Sequence, residues 1–214
     1  MRISHLKKLL RSIKISPFTV IFFLILLFSG NLKTGLLAFL MLFIHELGHI
    51  LMILILKYEI RVLKIYPYGC SIELMNGYIR NYFDDLLISS AGPLMYFIGN
   101  IIINLLSYYS LVSVLYINYL HSINLNICIF NCLPLLPLDG GRCLVDLISL
   151  VTNERVGIIT TRLISIIIPM LFIFKSSIWF KVFFVYIIYF NILELFKYND
   201  SKNYRNYIEK QIKF

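Results

Sequence analysis

Gly35-Leu-Leu-Ala-Phe-Leu-Met-Leu-Phe-Ile44-His45-Glu46-Leu47-Gly48-His49-Ile-Leu-Met-Ile-Leu-Ile-Leu56 is the stretch that decides how this chain is read. It is almost wholly apolar and long enough to cross a bilayer, which takes about 20 residues, yet it carries His-Glu-x-x-His near its middle. On a helix, residues four apart lie one turn from each other on one face. Both imidazoles can therefore reach one metal ion, while Glu46 can point at water beside it. An ionisable group near the bilayer centre costs on the order of 2.5–3.5 kcal/mol and as a rule faces a protein interior or a wet cavity. The plain alternative is a pair of histidines satisfied by neighbouring helices. The sharper one is zinc-dependent hydrolysis within a membrane.

Working outward, 59% of the 214 residues are hydrophobic and only 14% are charged, against about a quarter in soluble domains. The composition implies an all-α polytopic membrane protein. Apolar segments fall at Pro17–Phe28, Gly35–Leu56, Leu86–Tyr108, Leu111–Leu138, Val156–Phe174 and Ile178–Phe196, giving about six transmembrane helices. The first is short and the fourth is interrupted by prolines. Between the second and third, Lys57–Asp85 is the longest polar stretch, and Tyr66–Glu73 within it reads as a small β-like hairpin or membrane-associated loop.

The formal net charge of +9 raises nucleic acid as a partner, but the basic residues gather at the ends of apolar segments. No aromatic-interleaved soluble domain presents them, so the lipid bilayer is the partner and nucleic acid is not. Arg2, Lys7, Lys8, Arg11 and Lys14 precede the first segment, and Lys197, Lys202, Arg205, Lys210 and Lys213 follow the last. The positive-inside rule then places both termini in the cytoplasm of a multi-pass protein. The first segment has a signal-peptide-like basic front without the usual small-x-small cleavage site, and an uncleaved span is the expectation. Residues 1–198 make one membrane domain and 199–214 a short basic cytosolic tail. Cys70, Cys128, Cys132 and Cys143 have no paired spacing, so a disulfide framework is not expected.

A catalytic zinc usually takes three protein ligands and leaves a position for water, so His45 and His49 need a partner. Asp139 is the leading candidate. It closes Asn131-Cys-Leu-Pro134-Leu-Leu-Pro137-Leu-Asp139-Gly140-Gly141-Arg142, where two prolines and a Gly-Gly pair disfavour a regular helix. The alternative for Asp139 is an N-cap or turn residue before Gly140-Gly141. In the six-span topology the second and fourth segments both run toward the cytosol, so His49, roughly 10 Å above Leu56 at 1.5 Å per residue, and Asp139 fall in the same leaflet.

With these residues in place the chain resembles the site-2 protease family of intramembrane zinc metalloproteases. The likeness rests on His45-Glu46-x-x-His49, Ala91-Gly92-Pro93 and Asn131-x-x-Pro134-x-x-Pro137-Leu138-Asp139-Gly140-Gly141, in that order. The paired prolines before Leu-Asp-Gly-Gly-Arg are similar to the branch of stage IV sporulation protein FB. The resemblance implies one zinc ion bound by His45, His49 and Asp139, and Glu46 as the catalytic base. It further implies that Asn131, with Pro134 and Pro137, holds an extended substrate. Its implied substrate is a membrane-associated protein cleaved near the cytosolic side, in the sporulation branch the sigma factor precursor pro-sigma-K, with inhibitory membrane-protein partners. The setting it implies is a bacterial cell membrane or one surrounding a forespore. No CBS or PDZ domain is read in the chain, and Gly69-Cys70 stands where relatives often have Gly-Gly. Two other readings stay open: a membrane metal transporter built on the His/Asp site, and a site-2 protease acting on an anti-sigma factor or signal remnant.

Overall fold

The computed structural model describes residues 13–67, 69–75 and 81–200. Elements follow in the order β1 (Ile13–Ile15), α1 (Pro17–Phe28), α2 (Leu32–Ile55), β2 (Ile60–Tyr66), β3 (Gly69–Leu74), α3 (Tyr82–Tyr108), α4 (Val114–Asn131), α5 (Asp139–Val151), α6 (Glu154–Phe172) and α7 (Ile178–Asp200). The protein is mostly helical with one small sheet. Among the described residues, α2, α3 and α6 are the helices long and apolar enough to cross a membrane. At 24 residues α2 is about 36 Å long, beyond the ~30 Å hydrocarbon core. The 12-residue α1 is about 18 Å long and falls short of it.

The chain divides into two compact units. Of the described residues, one holds 13–67, 69–75 and 91–128, and the other 81–90 and 129–200. In the first unit, Ser16 caps α1 by accepting from the Phe18 N–H at 3.3 Å, and Pro17 sits in the first turn, where its missing N–H costs nothing. The expected hairpin is present: β2 and β3 pair antiparallel from Ile60↔Leu74 to Tyr66↔Gly69, with an irregularity between Ile60 and Val62. The sequence reading missed a third strand, β1, which pairs parallel to β2 through Ile13↔Leu63 and Ile15↔Ile65. Three residues that looked like part of a basic flank form it, and α1 is tied to the same place by Thr19 Oγ1 donating to Ile65 O at 2.8 Å. Met41 and Ile44 of α2, Ile103 of α3, and Ile117 and Leu120 of α4 form the apolar core of this unit. Asparagine and histidine pair between its helices: Asn124 Nδ2 donates to Tyr96 O at 3.0 Å, and His121 Nδ1 lies 3.0 Å from Asn100 Oδ1.

The second unit departs from the sequence reading in two places. The fourth apolar segment does not run as one piece to Leu138: α4 ends at Asn131, an irregular connection covers 132–138, and α5 begins at Asp139. Gly140 and Gly141 lie inside that helix rather than preventing it. A Cβ at Gly140 would collide with the Cys132 and Leu133 carbonyls, and one at Gly141 would come within 2.5 Å of the Leu135 and Leu136 backbone. The pair is needed for close approach of helix and connection. The second correction concerns Glu194, which its place near the end of the last apolar segment predicts to be a plain interfacial glutamate, with gating or pairing to Arg155 as the lesser alternative. It is 2% exposed, with Oε2 3.8 Å from Arg162 Nη2 and Oε1 2.8 Å from Lys197 Nζ. Of the expected basic tail 199–214, Asn199 and Asp200 belong to α7 and the residues from 201 lie outside the described residues, as do the amino-terminal lysines and arginines before Ile13.

Candidate metal centre

His45 and His49 are buried on one face of α2, with ring centroids 5.0 Å apart and planes at 79°. Their Nε2 atoms lie 3.3 Å from each other. Two nitrogens each ~2.0–2.1 Å from a single tetrahedral ion are about 3.3–3.4 Å apart, so the pair has the separation a shared zinc requires. Gly92 on α3 makes room for them. A Cβ there would collide with His49 Nε2 and sit 2.8 Å from His45 Cε1. Pro93 follows inside the helix, where it removes one intrahelical hydrogen bond.

Glu46, one residue on, reaches the start of β3. A Cβ on Gly69, whose φ is +144°, would lie 2.7 Å from Glu46 Oε1, so only glycine meets both the backbone angle and the space. Burial and, second, the Glu46 carboxylate push the neighbouring Cys70 thiol up to about 12, which keeps it a neutral, unreactive thiol.

Asp139 is described within the second unit. It is the first residue of α5 and 9% exposed, with Leu138 in extended conformation as the N-cap, so Asp139 is not itself the capping residue. A carboxylate in the first turn is favoured by the helix dipole. The connection before it is held by turns, Leu135 N–H to Leu133 O at 2.7 Å and Leu138 N–H to Leu135 O at 2.8 Å. Ser165 Oγ accepts from the Leu136 N–H at 2.8 Å, and Asn191 Nδ2 donates to the Leu136 carbonyl at 2.8 Å. Asn131 ends α4, while Pro134 and Pro137 lie in the connection, Pro137 after a cis peptide bond. Ser165, Arg162, Asn191 and Glu194 were not singled out as part of this region from sequence. The available signal was their polarity within apolar helices.

No family model matches the chain. By sequence it is similar to stage IV sporulation protein FB of Bacillus subtilis (strain 168), 29% identical over 141 residues, 66% of this chain and 49% of that protein. It is also similar to a Synechocystis sp. protein called "Putative zinc metalloprotease sll0528", 31% identical over 132 residues, 60% of this chain and 35% of that one. The chain thus spans about half the length of the first relative and about a third of the second. In structure it is similar to the site-2 protease from Methanocaldococcus jannaschii, with a TM-score of 0.61, 21% identity, and coverage of 85% of this chain and 90% of that one.

The fold is therefore that of a site-2 protease, and the chain is a membrane protein.

Proposed function

We propose that this chain is an intramembrane-cleaving zinc metalloendopeptidase, with one zinc ion held by His45, His49 and Asp139. Two imidazoles and a carboxylate are a donor set of the kind a catalytic zinc takes, and these three are residues that could hold a metal ion. The observation that carries the proposal is the 3.3 Å separation of the two Nε2 atoms in a buried, glycine-opened pocket beside a glutamate. When bound, zinc supplies Lewis acidity toward a scissile carbonyl and acidifies water to a pKa near ~7.

Glu46 then takes a proton from the attacking water and delivers it to the departing amine. A substrate helix protects its own peptide bonds, so it must unwind before it is cut, and the freed N–H and C=O groups need partners. In the sheet order β1-β2-β3 both β1 and β3 are edge strands, and β3 is the one whose first residue lies beside Glu46. A substrate segment added along β3 would satisfy its backbone there and come past the base. Asn131, Pro134 and Pro137 would help hold the extended segment. The remaining apolar helices α1, α4 and α7 also sit in the bilayer, giving six segments with both termini cytosolic and cleavage near the cytosolic face. The likeness to stage IV sporulation protein FB favours a membrane-associated sigma factor precursor such as pro-sigma-K as substrate, in a cell or forespore-surrounding membrane.

The test is co-expression of pro-sigma-K, and of tethered anti-sigma factors and signal remnants, with the native chain or with Glu46→Gln. Native protein should shorten one of them. The variant, which keeps the ligands but loses the base, should be slower by about 10²–10⁴-fold. Undiminished cleavage by folded Glu46→Gln removes Glu46 as the base.

A further inference from the structure

The main chain of Leu136 is gripped from two helices at once. Ser165 on α6 accepts its N–H and Asn191 on α7 donates to its C=O, both at 2.8 Å. Each helper is fully buried and fixed by a second bond: Ser165 Oγ donates to Thr161 O at 2.7 Å, and Asn191 Nδ2 donates to Ile187 O at 2.9 Å. Asn191 Oδ1 accepts from Arg162 Nη1 at 3.5 Å, which fixes the amide with its NH2 toward Leu136. Arg162 is in turn paired with Glu194.

Burying this set in apolar helices is costly, and burial is tolerated where polar groups are mutually satisfied. Here the set is spent on one peptide of an irregular connection that leads into α5, three residues before Asp139. Beyond the turn bonds within it, this stretch has no backbone ladder to fix its geometry.

Resting on the zinc site proposed above, we propose that Ser165 and Asn191 are positioning residues for the Asp139 carboxylate. They hold the Leu136 peptide, and so the start of α5, in place before the metal arrives. Arg162 and Glu194 set the orientation of Asn191. None of the four touches the metal or substrate.

The experiment compares Ser165→Ala, Asn191→Leu and Ser165→Thr with the native chain, purified in detergent. It measures zinc affinity by chelator competition, hydrogen exchange across residues 133–138, and helicity. Ser165→Ala and Asn191→Leu should bind zinc about 10–100-fold more weakly, as expected for loss of groups that orient a ligand, while Ser165→Thr, which keeps the hydroxyl, should stay within about threefold. Exchange should quicken at 133–138 in the first two with helicity unchanged. Folded Ser165→Ala and Asn191→Leu proteins that hold zinc as tightly as the native chain would overturn the proposal. A native chain that holds no zinc would instead be a failure of the zinc site itself. Should Asn191→Leu not fold, Ser165→Ala, which loses a single hydroxyl, carries the test alone.

Discussion

The histidine-bearing region and the aspartate-bearing region are built by opposite means. Around His45 and His49 the construction is subtractive: α2 supplies the two rings by helical spacing alone, and Gly92 leaves out the atoms that would displace them. Around Asp139 it is additive, because the connection 132–138 has no regular ladder and is held by side chains from helices distant in sequence. The first region should therefore fail when atoms are added, and the second when hydrogen bonds are removed.

The harshest way to break that contrast is Gly92→Ala. The added methyl meets both imidazoles, one of them in outright collision, so the rings must turn away from their common point. Misplacing a catalytic group by about 1 Å costs on the order of 10²-fold, and cleavage and zinc retention should both fall by about that much with helicity kept. An active, zinc-loaded Gly92→Ala protein would show that the pocket is not set by space. The Ser165→Ala and Asn191→Leu losses come next, about tenfold or more in zinc affinity.

The same contrast explains what was legible in the sequence. His45, Glu46 and His49 declare themselves because the geometry of a helix is fixed by its repeat, so spacing in sequence is spacing in space. Asp139 was visible as a candidate because prolines and glycines mark irregular backbone. The reason for Gly140-Gly141 was not visible, since it lies in the approach of Cys132–Leu136 backbone to α5 rather than in helix breaking. Ser165 and Asn191 could not be linked to Leu136 at all. Hydrogen bonds across 29 and 55 residues leave no trace in local pattern. Strand β1 was hidden for a related reason, since its partner lies about 50 residues on and the alternation of Ile13-Lys14-Ile15 is too short to stand out.

A smaller effect comes from Asp146 on α5, a 13-residue helix too short to cross the membrane. Asp146 is 3% exposed, its Oδ2 has no hydrogen-bond partner among the described residues, and burial, with the Asp85 carboxylate second, pushes its carboxyl up to about 8. Because the folded pKa lies above the unfolded value near ~3.9, the folded state holds the extra proton between the two. Stability is then greatest at low pH and falls as pH rises toward 8. Asp146→Asn should remove that slope and raise the melting temperature at pH 8 by about 2–4 °C. An unchanged pH profile in the variant would mean that this carboxyl ionises freely, and that the additive region tolerates a charge it has not paired.

The smallest effect should come from the hairpin, where Lys64 Nζ donates to Glu73 Oε1 at 2.8 Å across β2 and β3. That hydrogen bond is the main cause holding the Glu73 carboxyl below its usual range and the Lys64 ammonium above its own. The carboxylate's contribution is therefore present above its ordinary titration range and lost as pH falls through the depressed value. The ammonium's is lost only as pH rises through the raised one. Both side chains reach solvent, and exposed pairs are screened by salt. At physiological ionic strength Glu73→Gln should leave the melting temperature of the neutral-pH protein unchanged within error, and Glu46-dependent cleavage with it. The hairpin's position beside Glu46 is set by the backbone pairing of β2 with β3 and by Gly69, so a marked loss of cleavage in Glu73→Gln would show that a surface ion pair, not missing atoms, places the edge strand beside the base.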